Sequence, residues 1–331
     1  MLAERKIPGL VYYPDTAPGI TRRRQGRGFS YIAPDGTRID CPDERARIAA
    51  LAVPPAYEDV WISPRANGHL QATGRDARRR KQYRYHPDWT EFRAQRKFHH
   101  LPAFGEALPA VRRAILRDLK EEAGDRRFAI AAVLALIDRL SLRVGHPAYA
   151  KENRSYGATT LRANHVGMKD GEIMLNFTAK GGLKVKRHLK DTTLNRTLAR
   201  LHDLPGKALV SWLDEDGNAR EVTSEEVNTR LAEFTGDETM TAKTFRTWNG
   251  SVAALEVALK PEPLTIRAMS EAAAERLHNT PAIARKSYIH PAIIELAELD
   301  PDARQEAIGD GAERAGLRKS ETRLLSFLSG G

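Results

Sequence analysis

The sequence predicts an α+β chain, with a small antiparallel β domain followed by a mainly helical domain. Three observations carry that expectation. Residues 1–86 hold short alternating apolar and polar runs separated by Pro, Gly and Asn turns. From Pro87 onward the apolar spacing changes to threes and fours, and one alternating hairpin near residues 173–189 interrupts the helical part. A length of 331 residues suits about two domains with separate cores, so the expected boundary falls between residues 86 and 87.

Composition narrows the class. Hydrophobic residues at 41% with 29% charged residues describe a soluble globular protein. Lys+Arg 53 against Asp+Glu 43 leaves +10, a surplus that suits a polyanionic partner such as nucleic acid. The single cysteine, Cys41, excludes a disulfide framework and a cysteine-based metal site. No apolar run approaches the ~18 residues of a membrane span. The opening MLAERKIPGLVYYP lacks the apolar core of a signal peptide, so a reduced, cytoplasmic setting is expected. Internal repeats and low-complexity tracts are absent from the sequence.

In chain order, GFSYIAPDGTRID alternates around Pro34-Asp35-Gly36 and reads as a hairpin. Asp59–Ser63 and His69–Thr73 flank the turn PRANG and read as a second one. GRDARRRKQYRYH follows, a basic strand placing Lys81, Tyr83 and Tyr85 on one face. That face suits phosphates and bases, and it equally suits a solvated edge strand blunted by charge.

Beyond His86, Leu108, Val111, Ile115 and Leu119 form a helical stripe. Phe128 through Leu142 is apolar nearly all round and reads as a buried central helix stopped at Gly145, with Arg143 near its end. Arg143 there either answers the helix dipole or serves a partner. Alternation returns in Ile173, Leu175, Phe177 and Ala179, then in Leu183, Val185, Arg187 and Leu189 across Gly181-Gly182. Lys180 stands at that tip, as solvent-facing filler or as a cation able to swing into a site. Thr223-Ser224-Glu225-Glu226 fits a capping box. Helices are expected over 241–259 and 265–276, and a final helix pair reaches Gly331. Thr280-Pro281 opens a further helix, with Asn279 just outside it and Tyr288 two turns in.

Walker A, GxGxxG, HExxH and zinc-type spacings are missing, and adjacent His99-His100 would not share a helix face. What remains is Arg143, Lys180, Arg246 and the late Tyr288. From its own segment alone, Tyr288 is an ordinary tyrosine on a basic helix. The set as a whole suits phosphoryl transfer without metal. Arginines bind non-bridging oxygens in bidentate fashion, a lysine suits the proton donor to a leaving oxygen, and an amide such as Asn279 can donate one hydrogen bond. A tyrosine with an ordinary pKa near 10 needs those same cations to become a nucleophile.

The segments LRVGHPAYAKENRSYGATTL, NFTAKGG, TFRTWN and HNTPAIARKSY, in that order, resemble the type IB DNA topoisomerases of the compact poxvirus and bacterial kind. VPPAYEDVWI and RRRKQYRYH resemble that family's N-terminal β domain, so the likeness covers nearly the whole chain. The resemblance implies that Arg143 and Arg246 clamp the scissile phosphate, that Lys180 protonates the leaving 5′-hydroxyl and that Tyr288 forms a 3′-phosphotyrosyl bond. Better-known relatives carry histidine where this chain has Asn279, which implies a retained hydrogen bond without a titrating donor. Gln82, Tyr83 and Tyr85, beside Lys81, align with DNA-contacting positions, as does Tyr149. A monomer closed as a C-shaped clamp around duplex DNA in the nucleoid is implied. It would relax supercoils of either sign without ATP, metal or another cofactor, since the tyrosyl ester stores the bond energy.

Two rivals stand beside that reading. Tyrosine recombinases share the nucleophile, arginines and hairpin lysine, but typically carry HxLRH and a helical N-terminal domain, where this chain reads Lys243-Thr244-Phe245-Arg246-Thr247-Trp248 after a β-rich start. A non-catalytic basic DNA-binding protein explains the charge and leaves Arg143 and Lys180 as coincidences.

Overall fold

Residues 7–330 are described by a computed structural model; the first six residues, on which the leader reading partly falls, and Gly331 lie outside them. The chain divides into two compact units, Met1–Arg96 and Lys97–Gly331.

The first unit is built on a five-stranded antiparallel sheet of β1 (Ile20–Gln25), β2 (Gly28–Ile32), β3 (Glu58–Ile62), β4 (Leu70–Arg75) and β5 (Lys81–Tyr85), in the order β2-β1-β3-β4-β5. Helix α1 (Pro42–Ala50) joins its core, where Ile48 meets Ile20, Val60, Ile62 and Ala72. The hairpin across PRANG forms as expected, with Ile62 opposite Ala72. The first hairpin is different. Pro34-Asp35-Gly36 does turn the chain and Ile32 bridges Arg38, but the long partner of β2 is the preceding β1, in register Arg23 with Ser30. The chain after the turn leaves the sheet because Pro42 starts α1, whose apolar side is needed on the sheet's core face. Helix α2 (Pro87–His99) runs across the division between the units.

The second unit packs around two buried helices. Helix α3 (Leu101–Asp118) presents the expected stripe, Leu108, Val111 and Ile115, to α4 (Arg126–Leu140), which is buried on nearly every side. Asp125 caps α4 by accepting from the amides of Arg127 and Phe128. The stop of α4 is not Gly145. Ser141 takes the left-handed conformation (φ 55°) directly after Leu140, so Arg143 lies in the following segment rather than in the helix. A non-glycine residue tolerates that conformation only where its surroundings hold it. Here the Asn249 amide donates to Ser141 Oγ at 3.0 Å and to the Asp138 carbonyl at 3.2 Å.

After α5 (Pro147–Asn153), strands β6 (Val166–Lys169), β7 (Glu172–Thr178) and β8 (Lys184–Lys190) form a three-stranded antiparallel sheet. The β7–β8 pair is the expected hairpin, buried through Ile173, Leu175, Phe177 and Val185. Helix α6 (Thr192–His202) and the short strands β9 (Ser211–Leu213) and β10 (Ala219–Glu221) lead to α7 (Ser224–Thr235), opened by the Thr223–Glu226 capping box. Helix α8 (Ala242–Ala258) is the other buried element, and Trp248 on it fills the space over Gly105 of α3. A Cβ at Gly105 would lie 2.4 Å from that ring, which explains a glycine inside a helix. Helices α9 (Ile266–Leu277) and α10 (Pro281–Tyr288) follow. Instead of a final pair, the tail makes α11 (Pro291–Glu295), α12 (Pro301–Ile308) and α13 (Lys319–Leu328).

Helix α13 is tied to the centre of the unit by charge. Arg112 of α3 forks onto Asp138 of α4 (2.9 Å twice) and Glu321 of α13 (2.8 Å twice), with both carboxylates buried. Among the described residues, no helix is long and apolar enough to cross a membrane.

Candidate active site

Tyr288 is the last residue of the eight-residue helix α10, which Thr280 caps and Pro281 opens. Its ring lies 5.0 Å from the guanidinium carbon of Arg246. Burial of the phenol acts to raise its pKa, but the charge of Arg246 and its hydrogen bond to the phenol, followed by the charges of Arg143 and Lys243, outweigh it and hold the group below its ordinary value. The phenolate is the form these cations favour.

Arg246 comes from α8 and is buried. Two backbone carbonyls orient it: one terminal nitrogen donates to Ser141 and the other to Leu277 at 2.9 Å. Its Nε is buried without a partner. Burial, and then the charge of Arg143, push Arg246 down to about 10, which leaves it protonated at neutral pH.

Arg143 sits two residues past the left-handed turn at Ser141, in a stretch stapled to residues 157–160. The Ala158 amide donates to the Arg143 carbonyl (2.8 Å) and the Thr159 amide to that of Val144 (2.7 Å). Gly157 permits this approach, since a Cβ there would meet the Arg143 oxygen at 2.5 Å. The guanidinium then reaches the turn between α9 and α10, donating to Asn279 Oδ1 and, at 3.4 Å, to the His278 carbonyl. Asn279 keeps its Nδ2 buried and unpartnered. His278, itself left-handed (φ 52°), is pushed down to about 4 by burial and by Arg187, Arg246 and Arg143, so it is neutral at pH 7.

Arg143, Arg246, Asn279 and Tyr288 are thus brought together from separate stretches of sequence. Lys180 is not. It stands exposed at the β7–β8 tip with its ammonium 5.8 Å from the centre of the Tyr149 ring, and it is not among the cations that lower Tyr288. Gly181 and Gly182, both at positive φ with open space around them, form the tip itself. Lys243, which does act on Tyr288, is a site residue that the motifs alone do not single out. Its signal lies in Lys243-Thr244-Phe245-Arg246, where a spacing of three puts both cations on one helix face.

Arg246 Nε and Asn279 Nδ2 are donors that have lost water and gained no acceptor, an arrangement that costs free energy until an acceptor arrives. With the second arginine beside them, the arrangement suits the oxygens of a tetrahedral anion facing the Tyr288 phenol.

In the first unit, β5 is an edge strand. Tyr83 and Tyr85 stack in parallel at 6.0 Å and are 48% and 38% exposed, so both rings are available to a partner. Lys81 shares their face, 5.7 Å from the Tyr83 ring centre, and pairs with Asp15. Gln82 points to the other face, where its amide donates to Asp76 at 3.0 Å. Tyr149, on α5 in the second unit, is 43% exposed.

Two family models match the chain. "Bacterial DNA topoisomerase IB, N-terminal domain" covers residues 28–76, and "Eukaryotic DNA topoisomerase I, catalytic core" covers residues 86–287, stopping one residue before Tyr288. DNA topoisomerase 1B of Acanthamoeba polyphaga mimivirus is 29% identical over 299 residues, 86% of this chain and 89% of that one. DNA topoisomerase 1B of Vaccinia virus (strain Copenhagen) is 23% identical over 247 residues, 73% of this chain and 76% of that one. A solved XerH site-specific recombinase bound to a palindromic difH substrate aligns at 16% identity with a TM-score of 0.35, over 57% of this chain and 50% of that one.

Proposed function

The chain belongs to the type IB DNA topoisomerases, and from that premise we propose that it relaxes supercoiled duplex DNA through a covalent bond between Tyr288 and a 3′-phosphate. The Tyr288 phenolate oxygen attacks the scissile phosphorus, the bond to the 5′-oxygen breaks, and that oxygen takes a proton. Arg143, Arg246 and the Asn279 amide hold the non-bridging oxygens while charge builds on them. Lys180 supplies the proton to the leaving oxygen after its hairpin tip moves off Tyr149, a movement that Gly181 and Gly182 ease. The freed 5′-end turns under torque, and the reverse attack reseals the strand and releases Tyr288. The number of phosphoester bonds is unchanged throughout, so the cycle runs without ATP.

In this reading residues 1–86 grip DNA, through Lys81, Gln82, Tyr83 and Tyr85, and residues 87–331 perform the chemistry with Tyr149 as a further contact. The protein acts as a monomer. The observation that carries the proposal is the pair of unpartnered buried donors, Arg246 Nε and Asn279 Nδ2, beside a tyrosine whose pKa is lowered.

Supercoiled plasmid incubated with the protein, without ATP and with EDTA present, tests it. The wild-type protein relaxes the plasmid and leaves a covalent protein–DNA adduct when quenched with SDS. Tyr288→Phe binds the plasmid with unchanged affinity and yields neither product. Relaxation by Tyr288→Phe would sink the assignment.

A further inference from the structure

The nucleophile's helix ends without a backbone cap of its own. Helix α10 stops at Tyr288 and the chain turns extended at Ile289 (φ −104°, ψ 130°), leaving the last carbonyls to find partners elsewhere. Two side chains from other helices supply them. Lys97, near the end of α2, donates its ammonium to the Ser287 carbonyl at 2.6 Å. Ser251 of α8 donates its hydroxyl to the Tyr288 carbonyl at 3.3 Å and accepts from the His290 amide at 3.0 Å.

We propose that Lys97 is a positioning residue for the nucleophile: its ammonium holds the carbonyl next to Tyr288 and so fixes where the phenol points. The proposal rests on the reading of Tyr288 as nucleophile. The geometry has three supports. The contact joins residues 190 positions apart and is therefore made by the fold rather than by local chain stiffness. A cation at a helix C-terminus is favoured by the peptide dipoles. The ammonium also lies 4.0 Å from the centre of the neighbouring Phe98 ring, and Phe98 packs edge-on against His290 at 5.3 Å. Lys97 is partly buried, and burial together with the nearby charge of Lys243 pushes it down to about 8, so it remains mostly charged at neutral pH. Lys97 is not among the charges that act on the phenol itself, which separates its role from those of Arg143, Arg246 and Lys243.

The test is single-turnover relaxation of supercoiled plasmid with enzyme in excess, following the SDS-trapped adduct in the same quench. Lys97→Met is expected to form the adduct about tenfold more slowly at saturation, the size of effect that one hydrogen bond to a charged group carries. Lys97→Arg, which keeps a charged donor, recovers most of the rate. Plasmid affinity and its salt slope, measured in the Tyr288→Phe background, stay unchanged. An unaltered adduct rate in Lys97→Met overturns the proposal. So does a loss of affinity with a salt slope lower by about one contact and an intact rate at saturation, because Lys97 would then be touching a DNA phosphate. Should Lys97→Met melt early, the rate is read at a temperature where circular dichroism shows it folded; a slow rate there supports the proposal and a wild-type rate refutes it. An adduct that persists in Tyr288→Phe removes the nucleophile and this proposal together, whereas an intact Lys97→Met rate removes this proposal alone.

Discussion

Asn279 has two separable jobs in the proposed site, and substitution can pull them apart. Its Oδ1 accepts from Arg143, and its Nδ2 is buried with no acceptor. If Nδ2 serves a phosphoryl oxygen in the transition state, Asn279→Ala removes a donor to developing charge, a loss of about 1.5–3 kcal/mol or roughly tenfold to a hundredfold in rate. It also frees Arg143 from its acceptor, so a fall of about a hundredfold in single-turnover cleavage is expected. Asn279→Asp keeps and strengthens the acceptor for Arg143 but sets a carboxylate against the phosphate. The expected order is therefore Asn, then Ala, then Asp, with Asp slowest. A residue that merely positioned Arg143 would give a different order, with Asp at least as fast as Ala. The assay is adduct formation on plasmid at saturating enzyme, with affinity measured separately in the Tyr288→Phe background. Wild-type rate in Asn279→Ala, or Asp faster than Ala, refutes the assignment.

Two further expectations concern stability. Glu321→Ala leaves Arg112 short of one of its two buried carboxylates and removes the cap on the Arg318 amide, so unfolding should become easier by about 3–5 kcal/mol and the melting temperature should fall by about 10 °C; a shift under ~2 °C would show that α13 is held by its apolar contacts alone. Acid should weaken the fold through two histidines. Burial pushes both His278 and His290 down to about 4, while the unfolded imidazole titrates near 6.5. Between those values the unfolded chain binds protons that the folded chain refuses, so stability is full above about 6.5 and declines as pH falls toward 4. Allowing for partial exposure, each histidine accounts for roughly 1–2 kcal/mol, and urea midpoints measured at pH 7 and pH 5 should converge in His278→Gln and His290→Gln proteins.

The parts of the molecule legible in the sequence are those set by local rules. The PRANG hairpin, the stripe of α3, the Thr223 capping box and the Thr280-Pro281 helix start all follow from turn chemistry and periodicity, and all form. The departures have tertiary causes. Glycine is the usual helix stop and Gly145 fits that rule, but Asn249, more than a hundred residues away, holds Ser141 left-handed and ends the helix earlier. The partner of β2 differs from expectation because the turn at Pro34 is real but the sheet needs α1 on its core side. In the candidate site, the order of motifs names the residues that could act, while the unpartnered state of Arg246 Nε and Asn279 Nδ2 depends on which carbonyls the fold happens to offer. Lys97 is invisible in the sequence, since nothing in FRAQRKFHH points to a carbonyl 190 residues on.

The packing beneath Tyr288 has a mechanical side. During strand rotation in the proposed cycle, the broken DNA end is tethered through one side chain at the end of an eight-residue helix, and any pull on it arrives at that residue's main chain. Gly250 lies against that main chain, so close that a Cβ would meet the Tyr288 oxygen at 2.8 Å and its Cβ at 3.1 Å, and neighbouring Ser251 grips it from the same helix. The pull therefore passes sideways into α8, which is locked by Phe245, Trp248, Val252 and Leu255 in the middle of the core. The short helix works as a cleat bolted to a beam, and the anchorage of the moored strand is as strong as the centre of the domain.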